Sequence, residues 1–234
     1  MDKIIQISEL LSAVKWYFEL KNLSLKNALA LRCPLSTEDQ KNLRLYYSQY
    51  FAGLLSATEL LFEKEYPNRA DFKKSLEEKL SFDNFSDGEL NYAYLRELRN
   101  SIIHRGLDIS SVAHTKNNFP LVISPSPVTN RGGSVKYNAF GYYLIELIEK
   151  CESVIGEVFL NHFEEFDLFS VRLPQEQIVI LSNEYITNST AIPDWAKVLA
   201  LENIGKIDYD EIHQISINKL VDALKENVFS QHFA

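Results

Sequence analysis

The feature that most constrains this chain is the spacing of its apolar residues, which recur every three or four positions over long stretches. Ile4, Ile7, Leu11, Val14 and Phe18 step in this way. At 3.6 residues per turn they fall on one face of a helix. The period returns through Leu43, Tyr47, Tyr50, Leu54, Thr58 and Leu61, and again through Phe140, Leu144, Leu147, Cys151, Val154 and Val158. Helix breakers are scarce: 8 glycines and 7 prolines among 234 residues favour long elements over a turn-rich strand fold. With 46% hydrophobic and 24% charged residues, the chain has enough apolar surface for a real core.

Local signals mark the element boundaries. Thr37 and Gln40 stand at capping-box spacing where the second helix begins, and that helix should end before Pro67, whose ring disfavours a helical residue ahead of it. Asp71 to Leu80 predicts a short charged helix. Ser86 and Glu89 repeat the capping-box spacing and open a helix to about His104, with Gly106 placed to end it. Between Asn117 and Asn138, Pro120, Pro125, Pro127 and the Gly132-Gly133 pair interrupt two β-favouring runs, Leu121-Val122-Ile123 and Val135-Lys136-Tyr137. This predicts a loop or small hairpin inserted between helices. A long helix then runs to about Phe166. Beyond it, Ile178-Val179-Ile180-Leu181 reads as a strand, and residues 194–203 and 210–228 read as helices. The expected architecture is mainly α: an antiparallel four- or five-helix bundle over residues 1–166, carrying the inserted hairpin, and a mostly helical C-terminal extension over 167–234.

The net charge of −8 argues against a protein that coats nucleic acid through bulk charge, since such proteins are usually basic. The charge is uneven, however. From Arg96 to Lys136 there are six basic residues (Arg96, Arg99, Arg105, Lys116, Arg131, Lys136) against two acidic ones (Glu97, Asp108), a local +4. The two cysteines, Cys33 and Cys151, are far apart, and Cys151 lies on an apolar stripe, so two reduced thiols are expected rather than a disulfide. No Cys/His spacing suits zinc, and neither a metal nor a cofactor is expected. No run approaches the roughly 18 apolar residues that span a bilayer. The opening Met1-Asp2-Lys3-Ile4 enters an amphipathic helix without the layout of a signal peptide. A soluble, cytoplasmic protein with no membrane partner is the expectation.

One segment within the basic stretch combines side chains that do chemistry. In Leu95-Arg96-Glu97-Leu98-Arg99-Asn100-Ser101-Ile102-Ile103-His104-Arg105-Gly106, Leu95, Leu98 and Ile102 form a core-facing stripe. Glu97, Asn100 and His104 follow steps of three and four along another face. Arg99 sits about 100° round from Asn100, with a side chain long enough to reach towards His104. An imidazole with an ordinary pKa near 6.5 suits removal of a proton from a ribose 2′-hydroxyl or its delivery to a leaving 5′-oxygen. A guanidinium can bridge two phosphate oxygens and offset the charge of a pentacoordinate transition state. The same residues also suit a plain helix end, where Arg and His satisfy the last carbonyls and the helix dipole.

The run Leu98 to Gly106, with Arg99, Asn100 in second position and His104 after a further three residues, resembles the signature of the HEPN family (higher eukaryotes and prokaryotes nucleotide-binding). The resemblance covers about residues 1–166. It implies a bundle of four or five helices with the motif on a late helix, and a metal-independent endoribonuclease. In this reading Arg99 and His104 are catalytic, Asn100 orients His104 or the phosphate, and Arg96 and Arg105 bind RNA. The resemblance further implies a homodimer with a composite site, a place in toxin–antitoxin or antiviral defence, and an antitoxin protein as partner. A non-catalytic module of the same family, binding a nucleotide, RNA or a protein, is the alternative.

Two departures from that pattern stand out. Some HEPN toxins carry a modifiable Tyr two residues after the motif His, where this chain has Gly106. Members often have a supporting polar residue on an earlier helix, for which Glu59 and Glu63 are the candidates, although both also suit exposed helix positions. His114, His162, His213 and His232 share no spacing and read as surface or capping residues. Trp16, Tyr46, Tyr47, Tyr50 and Phe51 read as core or subunit-interface aromatics, and Arg131-Gly132-Gly133-Ser134 as a flexible turn.

Overall fold

A computed structural model describes residues 2–233. Helix α1 (Asp2–Ala30) packs along α2 (Thr37–Leu60), and a connection of a few residues makes them antiparallel neighbours. The short α3 (Arg69–Lys79) lies against α4 (Gly88–Arg105) and α5 (Leu144–Glu165). After a 3₁₀ turn at Leu168–Ser170 come α6 (Gln175–Asn188), α7 (Asp194–Asn203), α8 (Tyr209–Lys225) and α9 (Val228–Phe233). The chain is thus mainly helical, as the periodicity predicts, and no helix among the described residues is long and apolar enough to cross a membrane.

Two helix starts differ from the expected ones by a single residue. For α2 the cap is Ser36: its Oγ accepts from the Asp39 amide at 3.1 Å while Asp39 Oδ2 accepts from the Ser36 amide at 3.0 Å. Thr37 and Gln40 already lie inside the helix. These hydrogen bonds hold the Asp39 carboxyl below its ordinary value. For α4 the cap is Asp87, whose carboxylate accepts from the Leu90 amide at 2.9 Å, rather than the Ser86–Glu89 pair. In both cases the capping residue has extended backbone just ahead of the first helical residue, a condition that spacing alone does not test.

The insertion between α4 and α5 holds two small hairpins instead of one. Strand β1 (Val112–Lys116) pairs with β2 (Phe119–Val122) across Asn117-Asn118, both at positive φ, where asparagine is well tolerated. Strand β3 (Val128–Thr129) pairs with β4 (Lys136–Tyr137). The runs at Leu121 and Lys136 therefore each have a local partner and do not pair with each other. The second hairpin rests on α4, with Val128 in the core and the Tyr94 hydroxyl donating to the Pro125 carbonyl at 2.8 Å.

Ile178–Leu181 is helical, within α6, and not a strand. Helix α6 packs against α7 and α8 rather than beside a strand, and as a helix its backbone is satisfied internally. The C-terminal extension is also less separate than its position in the sequence suggests. Ile217, Leu220, Ala223, Leu224 and Val228 belong to the same core as α1, α2 and α5. Helix α8 approaches α5 so closely that a Cβ at Gly156 would stand 2.1 Å from the Leu224 carbonyl oxygen.

A polar cluster lies inside this packing. Lys21 Nζ of α1 meets Glu152 Oε1 of α5 at 2.7 Å, with the side chains only 4% and 1% exposed. Tyr50 of α2 donates to the same oxygen at 3.0 Å, and Asn22 Nδ2 donates to the Ala223 carbonyl of α8 at 3.0 Å. Burial and the adjacent carboxylate push the Tyr50 hydroxyl well above its ordinary value, so it remains a donor. Cys151 is buried beside this cluster, and both cysteines are free thiols.

His162, expected at the surface, is instead 2% exposed on α5. It is ringed by Phe72, Phe163 and Phe166, and its Nε2 shares a 2.7 Å hydrogen bond with the Tyr66 hydroxyl. Its Nδ1 has no partner among the described residues. Burial drives this imidazole down to about 4, against a small opposing effect of Asp71. The depressed value means that the folded state disfavours the proton. The stability His162 confers is complete above its unfolded pKa of about 6.5 and drains away as pH falls towards about 4. Replacing it by Gln, which keeps a partner for Tyr66, should flatten the fall in melting temperature across that window. An unchanged pH profile in His162→Gln would show that the proton goes elsewhere.

Candidate functional site

Helix α4 positions the motif, and three of its faces have different neighbours. Leu95, Leu98 and Ile102 enter the core, as their spacing predicts. The helix ends at Gly106, which adopts φ 70° and turns the Leu107 amide back to the Ser101 carbonyl at 3.0 Å. A residue with a Cβ is strained in that conformation. Arg44 of α2 pins this end by donating to the Gly106 carbonyl at 3.0 Å.

A second face lines a recess of about 490 Å³ bounded by Glu97, Asn100, His104, Arg105 and Arg131. The predicted trio of Glu97, Asn100 and His104 does share one surface. His104 is exposed at its edge, free to meet a ligand. Glu97 is mostly buried and acts as the organiser. Its Oε1 accepts from Asn100 Nδ2 at 3.5 Å and lies 3.7 Å from Arg96 Nε, while its Oε2 is 3.8 Å from Arg105 Nη2. Arg105 also donates to the Ser101 hydroxyl and, at 3.3 Å, to the Glu97 carbonyl. The carboxylate therefore offsets two arginines locally and fixes the amide that stands next to His104.

The third face carries Arg99, and here the structure departs from the expected arrangement. Its guanidinium turns to α2 and pairs with Glu59 instead of lining the recess with His104. Its side chain is 15% exposed, and its Nε is buried without a partner among the described residues. The physical reason is the 100° offset from Asn100, which directs Arg99 towards α2, where a carboxylate is available. Of the two carboxylates considered as support, Glu59 reaches the motif. Glu63 is exposed and lines a larger cleft of about 810 Å³ between the start of α1 and the end of α5, which holds none of the motif side chains.

Arg131 is the side chain that sequence reasoning left out of the site. It comes from the β3–β4 loop, 27 positions after His104, and only its membership of the basic stretch hinted at this. The other histidines are elsewhere: His114 bonds Tyr143 at 2.9 Å, His213 meets the Phe169 carbonyl at 2.9 Å, and His232 meets Arg32 at 3.1 Å. Tyr47, Tyr50 and Phe51 are core residues, whereas Trp16 is exposed on α1. Among the described residues, no three His, Cys, Asp or Glu side chains gather as they would around a metal ion.

Chemically, the recess offers an exposed imidazole, an amide, two guanidinium groups and the mostly buried Glu97 carboxylate, whose charge Arg96 and Arg105 offset. Such a set can hold an anion beside a proton-transfer group. Comparison of the chain with protein-family models, with curated proteins and with solved structures yields no match.

The Arg99–Glu59 pair is partly shielded from water and should couple the two residues by about 1 kcal/mol. A double-mutant cycle of Arg99→Ala and Glu59→Ala, read by urea denaturation, measures this directly. Additive losses would mean that Glu59 does not hold Arg99 in solution.

Proposed function

We propose that this chain is a HEPN-like, metal-independent endoribonuclease of a toxin–antitoxin or antiviral system, built on a helical bundle. The observation that carries the reading is the open recess in which His104 and Asn100 stand together with Arg105 and Arg131. In the reaction, the 2′-oxygen of one nucleotide attacks its own 3′-phosphate as His104 accepts or donates the proton in transit. The bond to the 5′-oxygen breaks, leaving a 2′,3′-cyclic phosphate and a 5′-hydroxyl. Asn100 orients the imidazole or the phosphate, Arg96 and Arg105 bind neighbouring phosphates, and Arg99 stabilises the charge of the transition state once it swings from Glu59 into the recess. Two motif helices meeting across a two-fold axis bring two imidazoles to one site, one for each proton step. An antitoxin protein covering the recess fits the same reading.

A second reading is a non-catalytic HEPN-like module that binds RNA, a nucleotide or a protein. The engagement of Arg99 with Glu59 favours it, because that guanidinium is then a structural group.

One experiment separates the two. On a mixed-sequence RNA, His104→Ala should lower cleavage by about a hundredfold or more, the magnitude for losing general acid–base catalysis. Its melting temperature should be unchanged, since His104 is exposed. Cleavage should persist in EDTA and stop when the 2′-hydroxyl at the scissile position is replaced by hydrogen. Arg99→Ala should also lose cleavage, with a melting temperature lowered by release of Glu59. Full cleavage in Arg99→Ala, or none in the wild type, favours the binding module.

Assembly gives an independent check. Light scattering at micromolar concentration should return the mass of a dimer, and a strict monomer would count against a composite site.

A further inference from the structure

We propose that Arg131, at the tip of the β3–β4 hairpin, is an RNA phosphate-binding residue that grips the strand beside His104. The inference rests on the reading of the recess as an RNA site and adds to it a contact from outside the motif helix. Four arginines stand in or next to the motif, and three are already engaged by carboxylates. Arg96 and Arg105 lie against Glu97, and Arg99 pairs with Glu59. Among the described residues, Arg131 has no such partner, although it lines the same recess as Asn100, His104 and Arg105. It is therefore the guanidinium whose charge is available at no cost of breaking an existing pair.

The hairpin also holds Arg131 in place. Asn130 closes the loop from both ends of its side chain, with Oδ1 accepting from the Val135 amide at 3.2 Å and Nδ2 donating to Ser134 Oγ at 3.2 Å. Its backbone amide donates to the Val135 carbonyl at 3.1 Å, and its carbonyl accepts from the Gly133 amide at 2.9 Å. Gly133 sits at φ 69°, the left-handed region that a tight loop of this kind needs. Below the loop, buried Val128 and the Tyr94–Pro125 hydrogen bond fasten the hairpin to α4. A guanidinium on a fastened loop facing an exposed imidazole makes a cleft with a cation on each side. Arg105, which also lies against Glu97, supplies the other one, from the helix. A phosphodiester strand fits between them, because each phosphate carries one negative charge and two acceptor oxygens that match a guanidinium fork. Lys136 on β4 continues the positive charge along the hairpin, and no carboxylate occurs between Val128 and Lys136.

The test uses the full chain and an uncleavable probe, a fluorescein-labelled 2′-O-methyl RNA of mixed sequence and about 12 nucleotides. Binding is followed by anisotropy from about 50 to about 200 mM salt. Arg131→Ala should weaken binding about tenfold, at the low end for a charge-assisted hydrogen bond. It should also lower the slope of log affinity against log salt by about 0.7, as for the loss of one single-strand phosphate contact. Arg131→Lys should keep most of the slope. Lys206→Ala, which removes a positive charge outside the recess, should keep both affinity and slope. Arg131 is exposed, and matching melting curves exclude a folding defect. If Arg131→Ala binds like wild type, the inference is overturned even when unmodified RNA is still cut. If the wild type binds and Arg131→Ala does not, the inference holds even when no RNA is cut, and only the nuclease reading fails. A wild type that binds no RNA at low salt overturns both.

Discussion

The buried pair of Lys21 and Glu152 is the interaction on which the rest of the arrangement depends. Two opposite charges sit almost wholly out of water 2.7 Å apart, with Tyr50 supplying a third polar contact. Desolvating each ion costs several kcal/mol, offset here by the contacts of Lys21 and Tyr50 with Glu152 Oε1. Glu152 Oε2 is buried with no hydrogen-bond partner among the described residues, so the pair acts on specificity more than on net stability. Such a pair discriminates between registers more sharply than apolar packing does, because a slip of one turn on the helix of either residue strands a buried charge. Lys21 comes from α1, Tyr50 from α2 and Glu152 from α5, and Asn22 next to Lys21 reaches the backbone of α8. The cluster therefore sets four helices against one another. The ammonium is also held over the faces of Phe18 and Tyr50, at 5.1 and 5.8 Å from their centroids, which adds a favourable environment for a cation within an aromatic core.

That register is transmitted to the candidate site through α2. Glu59 lies nine residues beyond Tyr50, about 14 Å further along the helix, and is thereby brought level with Arg99 on α4. At the other end of the same contact, Arg44 holds the Gly106 carbonyl where α4 stops. Helix α4 is thus tied to α2 at its closing turn and along its side, while Leu95, Leu98 and Ile102 anchor its inner face. What is left free is the outer face with Asn100 and His104. Glu97 keeps that face from being a loose set of side chains, since one buried carboxylate touches Arg96, Asn100 and Arg105 together.

The helices and the core stripe of α4 were legible in the sequence because period and burial are local properties, repeated over several turns. Tyr47, Tyr50, Leu54 and Leu98 all lie where their spacing predicts. Single-residue features were less legible. Ser36 and Thr37 can both cap a helix, and the choice between them is made by backbone conformation. Ile178 to Leu181 carries strand-favouring side chains, but a strand needs a partner edge, and whether one exists is a property of the whole fold. His162 reads as a surface residue in isolation, yet four aromatic side chains from three segments enclose it. For the candidate site, the helical steps from Glu97 to His104 fixed which residues share a face. The destinations of Arg99 and Arg131 depended on what α2 and the hairpin place opposite them, which the α4 sequence does not encode.

The distribution of charge ties these elements together. The chain carries −8 overall, but the segment from Arg96 to Lys136 carries +4, so the remainder is strongly acidic. Folding brings Arg105 and Arg131, distant in sequence, to one recess, and so concentrates part of that positive stretch in space. If the recess binds RNA as proposed, its basic groups act on the strand over a range set by the Debye length of about 8 Å at physiological salt, against the repulsion of the acidic remainder. Selectivity for position therefore arises from contrast rather than from total charge. A uniformly basic protein would gain affinity everywhere and hold a strand in many orientations. On the proposed function, the acidic remainder disfavours other placements of a strand relative to one that lays a phosphate between the hairpin and α4, next to the exposed imidazole of His104.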